Sequence, residues 1–198
     1  MAKLFPYMHL QNFLSDELSA EILAYGISKE HDFEPSQIYV KGVVDLSGFR
    51  ISSTLRRLGP YESIVQDKLR EIIPRMNAEL QIARFEVGEI EVQLAAHGDG
   101  ALFGRHIDTM VHEKSDQPRV ISAVYYLHSN PKKFDGGNLR LHTIPIGEED
   151  IQPKDISPDH NSLLVFPSFA PHEVLPVIAP GVEFKDWRFA VNCWIHKA

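Results

Sequence analysis

The 198-residue chain has a single cysteine, Cys193, so an intrachain disulfide and a cysteine-based zinc finger are both excluded. Cys193 lies in an apolar run, where a buried, inert thiol is expected. No segment approaches the about 20 consecutive apolar residues that a membrane helix requires. The start, Met1-Ala2-Lys3-Leu4-Phe5-Pro6, lacks a basic region followed by a long apolar stretch, so no signal peptide is expected. A reducing, cytoplasmic setting is the resulting expectation, with no membrane partner. Positive charge is scarce: 20 Lys and Arg face 27 Asp and Glu, a net charge of −7, which argues against a nucleic-acid partner. Repeats, low-complexity tracts and linker-like composition breaks are absent, and one domain spanning 1–198 is expected. What is present is ordinary globular material, 43% hydrophobic and 24% charged, enough to bury a core without a disulfide or structural metal. Ten histidines are many for this length and are the first hint of metal chemistry.

The hydrophobic period divides the chain. Up to about residue 82 it is helical: Ser15 offers an N-cap ahead of Leu18, Ile22 and Tyr25. Gly59-Pro60 then opens a second helix whose stripe is Tyr61, Ile64, Val65, Leu69, Ile72, Ile73 and Met76, and Pro74 is expected to kink or end it. From about residue 83 the period is two, beginning with Phe85–Val87 and Ile90–Leu94. Further strand candidates are Arg119–His128, Asn138–His142, Ser162–Phe166, His172–Val177 and Trp187–Ile195. The fold expected is α+β but mainly β: a jelly-roll core over about 83–198 with N-terminal supporting helices over about 1–82.

Two H-x-D triplets occur, His97-Gly98-Asp99 and His106-Ile107-Asp108. Composition alone supplies roughly 0.6 such triplets, so context has to choose. On a strand, positions i and i+2 face one side, and His106 and Asp108 can converge on one ion; His97-Gly98-Asp99-Gly100 reads instead as a turn. His172, after the turn Phe166-Pro167-Ser168-Phe169-Ala170-Pro171, is the candidate third ligand. Two histidines and a carboxylate form the facial set that leaves open positions on iron. If a dicarboxylate chelates that iron, its far carboxylate needs a cation, and Arg188, a charge in an otherwise apolar strand, is the candidate. Tyr125 and Tyr126 face opposite sides, so one of them, Tyr126, can add a hydroxyl to the same carboxylate.

With these residues in place, the chain resembles the iron(II)- and 2-oxoglutarate-dependent dioxygenases, and among them the prolyl 4-hydroxylase-like enzymes, including the hypoxia-sensing type. The resemblance rests on His106-Ile107-Asp108, Arg119–Leu127, Asp135-Gly136-Gly137-Asn138-Leu139-Arg140-Leu141, Phe166-Pro167-Ser168, His172-Glu173-Val174, and Arg188-Phe189-Ala190 with Trp194, in family order over about 85–196. It implies a double-stranded β-helix with Fe(II) held by His106, Asp108 and His172, and with Arg188 and Tyr126 on the distal carboxylate of 2-oxoglutarate. It further implies dioxygen as co-substrate, ascorbate as a candidate accessory reductant, and hydroxylation of substrate with release of succinate and carbon dioxide. Two departures stand out: Ala179–Lys185 reads as an insertion before Arg188, and Ala96 stands where many relatives carry a co-substrate-binding tyrosine.

The resemblance also places a lid at Ser36–Leu58, with Arg50 and Ser52 as candidate contacts to a small-molecule or peptide substrate; an exposed solubilising loop is the plainer reading of that segment. The resemblance implies a prolyl residue in a protein as the first substrate to consider, with a free amino acid or a small natural product still open. His112, His128, His142 and His160 read as strand-end or surface residues. A catalytically silent jelly-roll sensor, a cupin-like metalloprotein and a hydrolytic zinc site are alternatives, although a cupin is expected to carry an H-x-H pair, which this chain lacks. Dependence on the co-substrate separates all three from an oxygenase.

Overall fold

A computed structural model describes residues 3–36, 39–40, 43–44, 48–109, 117–144 and 152–198. Helix α1, Asp16–Ser28, begins where Ser15 Oγ accepts the Leu18 amide at 3.2 Å. It lies so close to the strands behind it that a Cβ on Gly26 would sit 2.9 Å from Leu94 Cδ2. Helix α2, Glu62–Leu80, follows a 3-10 turn at Gly59–Tyr61, so Pro60 starts the turn rather than the α-helix. Pro74 does not end α2: the helix runs on to Leu80 with Pro74 on its exposed face, while Ile73, Met76 and Asn77 stay buried.

Twelve strands make the two principal sheets among the described residues. In chain order they are β1 Met8–Gln11, β2 Glu34–Pro35, β3 Arg50–Ile51, β4 Ser53–Leu55, β5 Val87–His97 and β6 Leu102–His106. They continue as β7 Arg119–Leu127, β8 Leu139–Leu141, β9 Lys154–Ile156, β10 Ser162–Pro167, β11 His172–Val174 and β12 Arg188–Lys197. The larger sheet runs β1-β10-β7-β12-β5-β4-β2 and the smaller β9-β8-β11-β6-β3, with each pair of neighbours antiparallel. This is the double-stranded β-helix, two antiparallel sheets facing one another.

The larger sheet is covered on both sides, which is why β7 and β12 read as near-continuous apolar runs instead of alternating ones. One face carries Ala123, Tyr125, Leu127, Phe189, Val191 and Cys193 against Ile22, Val65, Leu69, Ile73 and Met76 of the helices. The other turns Val124, Tyr126 and Ala190 toward Leu139, Leu141 and Ile156 of the smaller sheet. Each such side chain contributes about 1.5–3 kcal/mol on full burial, so two apolar faces hold one sheet in register.

The N-terminal third adds strands as well as helices. β1 extends the larger sheet through β10, and Asn161 ties the next segment down by accepting the Leu14 amide and donating to the Leu14 carbonyl, at 3.1 and 2.9 Å. β3 and β4, one residue apart, cross from the smaller to the larger sheet, pairing Arg50 with Phe103 and Ser53 with Ala96. No helix among the described residues is long and apolar enough to cross a membrane.

Candidate active site

β6 and β11 pair with His106 directly opposite His172, which sets two imidazoles side by side at the mouth between the sheets. Asp108 lies just past the end of β6 rather than on the strand, and its amide donates to the Ser168 carbonyl at 2.8 Å, which turns the carboxylate back toward both rings. Asp108 Oδ1 is 3.6 Å from His106 Nε2, Asp108 Oδ2 is 3.7 Å from His172 Nε2, and the three donors all lie within 4.8 Å of one another. Donors about 2.1 Å from one ion sit about 3 Å apart, so this set is close to assembled. His106 Nδ1 faces the Gly104 carbonyl at 2.7 Å and His172 Nδ1 the Ala170 carbonyl at 3.0 Å. Carbonyls only accept, so both rings carry hydrogen on Nδ1 and offer the Nε2 lone pair to the centre.

The surroundings favour these protonation states. Burial, and then His172, hold the His106 pKa below the ordinary imidazole value. Burial would raise the Asp108 carboxyl, but His172 and His106 with hydrogen bonds from Ser122 and Trp194 outweigh it and keep the group below the usual range. Ser122 Oγ donates to Asp108 Oδ2 at 2.6 Å and is 2.9 Å from Ser168 Oγ. Trp194 is held in turn by Arg119, whose guanidinium stacks over the indole at 4.2 Å and pairs with Glu91 at 2.6 Å.

Deeper in the same cavity lies Arg188, the first residue of β12, 1% exposed and without an ion-pair partner among the described residues. Its Nε donates to the Gly137 carbonyl at 2.9 Å, its Nη1 is 3.1 Å from His97 Nδ1, and its plane lies 5.0 Å from the Tyr126 ring. Burial lowers its pKa, yet a guanidinium stays charged, and an uncompensated buried charge costs several kcal/mol. The Tyr126 hydroxyl is buried close to the guanidinium with no other hydrogen-bond partner among the described residues, and burial pushes its pKa up to about 12, so it remains a donor. A buried cation lining this cavity, with a neutral hydroxyl donor beside it, is the complement of a carboxylate. The register Arg188↔His97 places this arginine inward despite the Ala179–Lys185 segment, which includes a 3-10 turn at Phe184–Asp186.

A model of the 2OG-Fe(II) oxygenase superfamily matches residues 92–196, a span from β5 to the end of β12 that contains the whole donor set. The chain belongs to this superfamily. Membership implies Fe(II), 2-oxoglutarate and dioxygen, and the donor triad and anion seat fit the first two. A PKHD-type hydroxylase of Synechocystis sp. is 34% identical over 197 residues, covering 96% of this chain and 63% of the relative, so the chain spans under two thirds of that relative's length. Two solved structures share the oxygenase fold. A prolyl hydroxylase of Trichoplax adhaerens, in complex with a hypoxia-inducible-factor peptide, has a TM-score of 0.72 at 23% identity and matches 98% of this chain and 84% of that one. A prolyl-4-hydroxylase of Pseudomonas putida has a TM-score of 0.68 at 22% identity and matches 98% and 94%.

Other residues marked in the sequence are placed as follows. Arg50 lines the cavity mouth, 4.8 Å over Phe103, whose ring stacks on His106 at 3.6 Å. Ser52 does not line the cavity; its hydroxyl accepts from Arg50 Nε at 3.4 Å and bonds Ser36 Oγ at 2.7 Å. Part of the Ser36–Leu58 segment, and His112, lie outside the described residues. His128 is just beyond β7 and is buried against His160, while His142 pairs with Glu173 at 3.0 Å. The rejected triplet splits: Asp99 accepts the Ala179 amide at 2.7 Å, whereas His97 ends β5 inside the cavity. Ala96 faces the helices, so His97 is its inward neighbour. Sequence reasoning weighs His97 only as a metal ligand and does not single out Ser122 or Phe103. Ser122 shares the inward alternation of Tyr126 on β7, a signal that could have found it.

Proposed function

We propose that this chain is an Fe(II)- and 2-oxoglutarate-dependent dioxygenase that hydroxylates an organic substrate, with a prolyl residue in a peptide as the first candidate, and releases succinate and carbon dioxide. The observation that carries the reading is the pairing, in one cavity, of the His106, Asp108 and His172 donors with a buried, uncompensated Arg188.

In this reading His106, Asp108 and His172 hold iron. Arg188 grips the distal carboxylate of 2-oxoglutarate bidentately, and the Tyr126 hydroxyl donates to the same group. Metal and co-substrate together supply the oxidising chemistry, in which decarboxylation of 2-oxoglutarate accompanies reduction of dioxygen. The chain's own contribution is position and electrostatics. Ser122 holds Asp108 in a fixed rotamer, the carbonyls of Gly104 and Ala170 fix both imidazole tautomers, and Val124, Leu139 and Val174 keep the cavity wall apolar. Arg50, braced by Ser52 and Phe103, is the candidate substrate contact at the mouth. Similarity to a PKHD-type hydroxylase supports the hydroxylase reading, and the fold shared with prolyl hydroxylases is the reason to try prolyl peptides first.

The test is succinate release in air from Fe(II)-loaded protein and 2-oxoglutarate, with and without prolyl peptides. The expected result is iron-dependent succinate, abolished in His172→Ala, with a peptide that raises the rate and gains one oxygen by mass. Folded, iron-loaded protein that forms no succinate removes the proposal; succinate without peptide oxidation removes only the prolyl assignment.

A further inference from the structure

His97 is a buried histidine outside the metal triad, 5% exposed, and nothing in the oxygenase chemistry requires a histidine there. It is the cross-strand neighbour of Arg188 in the β5–β12 ladder, so the two side chains emerge side by side into the cavity. The contact is Arg188 Nη1 to His97 Nδ1 at 3.1 Å. A guanidinium has donors alone, so His97 Nδ1 must accept, which requires a neutral ring with its hydrogen on Nε2. Burial, followed by the charges of Arg188 and Arg50, opposes protonation of this ring and agrees with the geometry.

The rest of the Arg188 environment shows what the contact does. Nε is taken by the Gly137 carbonyl and one face of the guanidinium by the Tyr126 ring. Gly137 packs so closely that a Cβ there would be 2.8 Å from Arg188 Cδ. On the far side, a Cβ on Gly98 would be 2.6 Å from the Trp187 ring, so the turn after His97 is fixed as well. With Nε and one Nη1 hydrogen assigned and Tyr126 beside it, the guanidinium is held in one orientation at the cavity wall.

We propose that His97 is a positioning residue for the co-substrate: by accepting from Arg188 it sets the direction of the guanidinium and so the chain length of the 2-oxo dicarboxylate that reaches the metal. This rests on the reading of Arg188 as the carboxylate anchor. His97 is the inward neighbour of Ala96 at the end of β5, and it acts through Arg188.

The experiment measures binding of 2-oxoglutarate and 2-oxoadipate to the full chain loaded with Mn(II), by calorimetry, with Mn(II) affinity alone as the control for an intact triad. His97→Leu, which fills the space without an acceptor, should weaken 2-oxoglutarate about ten- to a hundredfold, the range for losing one hydrogen bond to a charged group, and narrow the preference over 2-oxoadipate. His97→Asn, whose Oδ1 replaces Nδ1 as acceptor, should stay within about threefold of wild type. Mn(II) affinity should be unchanged in both. Wild-type affinity in His97→Leu, or equal weakening in Leu and Asn variants, overturns the proposal. Arg188→Met separates the two readings: if it binds weakly while His97→Leu binds normally, the anchor stands and the role of His97 falls. If it binds normally, both fall.

Discussion

Gly137 is the most exposing place to perturb the carboxylate seat. Its φ is +65°, where a side chain costs about 1–2 kcal/mol, and an added Cβ would meet Arg188 Cδ at 2.8 Å, Val177 Cγ2 at 2.9 Å and Arg188 Nε at 3.1 Å. Overpacking of this kind costs about 1–3 kcal/mol, so Gly137→Ala should lose about 2–5 kcal/mol in all. At about 2–4 °C per kcal/mol for a chain of this size, Tm should fall by about 4–20 °C. Gly100→Ala is the internal reference: its φ is +73°, but nothing lies within 4 Å of the added Cβ, so it carries the backbone cost alone. Thermal unfolding of both variants isolates the packing contribution, and calorimetry with 2-oxoglutarate reads displacement of Arg188. The expected outcome is a larger Tm loss for Gly137→Ala, joined by at least a tenfold loss of co-substrate affinity that Gly100→Ala does not share. Equal Tm losses with equal affinities would refute the claim that Arg188 is pinned against Gly137.

Ser122→Ala removes the 2.6 Å hydrogen bond to Asp108, and Fe(II) affinity measured by competition with a chelator should fall about 10–100-fold while 2-oxoglutarate still binds to the metal-loaded protein. Asn161→Ala breaks three buried hydrogen bonds, to Leu14 amide, Leu14 carbonyl and Tyr125 hydroxyl, at a φ of 55°; a loss of about 2–4 kcal/mol in denaturant unfolding is expected, with Asn161→Gly recovering a minor part. Cys193 is 1% exposed and burial pushes its thiol pKa up, so a maleimide at neutral pH should label it only after unfolding; rapid labelling of native protein would contradict its placement in the helix-side core.

The parts of the fold legible in sequence are those where one physical signal dominates. Arg119–Leu127 was readable because burial on both faces leaves an apolar run, and His172 because a proline-bounded turn delivers it to the start of β11. Arg188 was readable because a charge inside such a run has to find a partner. Met8–Gln11, Arg50–Ile51 and Ser53–Leu55 were not: they are two to four residues long and take their strand character from pairing with distant segments rather than from their own periodicity. Pro74 misled because a proline's effect depends on which helix face it occupies. The turn chemistry of Gly98 and Gly100 discounts His97 and Asp99 together, whereas the strand ends between the two and sends them to different partners.

The central claim is that iron and 2-oxoglutarate share the cavity between His172 and Arg188. Its most direct test is an anaerobic titration of metal-free protein with Fe(II) and then 2-oxoglutarate, following the visible metal-to-ligand charge-transfer band of the chelate. The account predicts a band that saturates at one equivalent, disappears in His172→Ala and needs far more 2-oxoglutarate in Arg188→Met. A folded, iron-loaded protein that shows no band on addition of 2-oxoglutarate would contradict it.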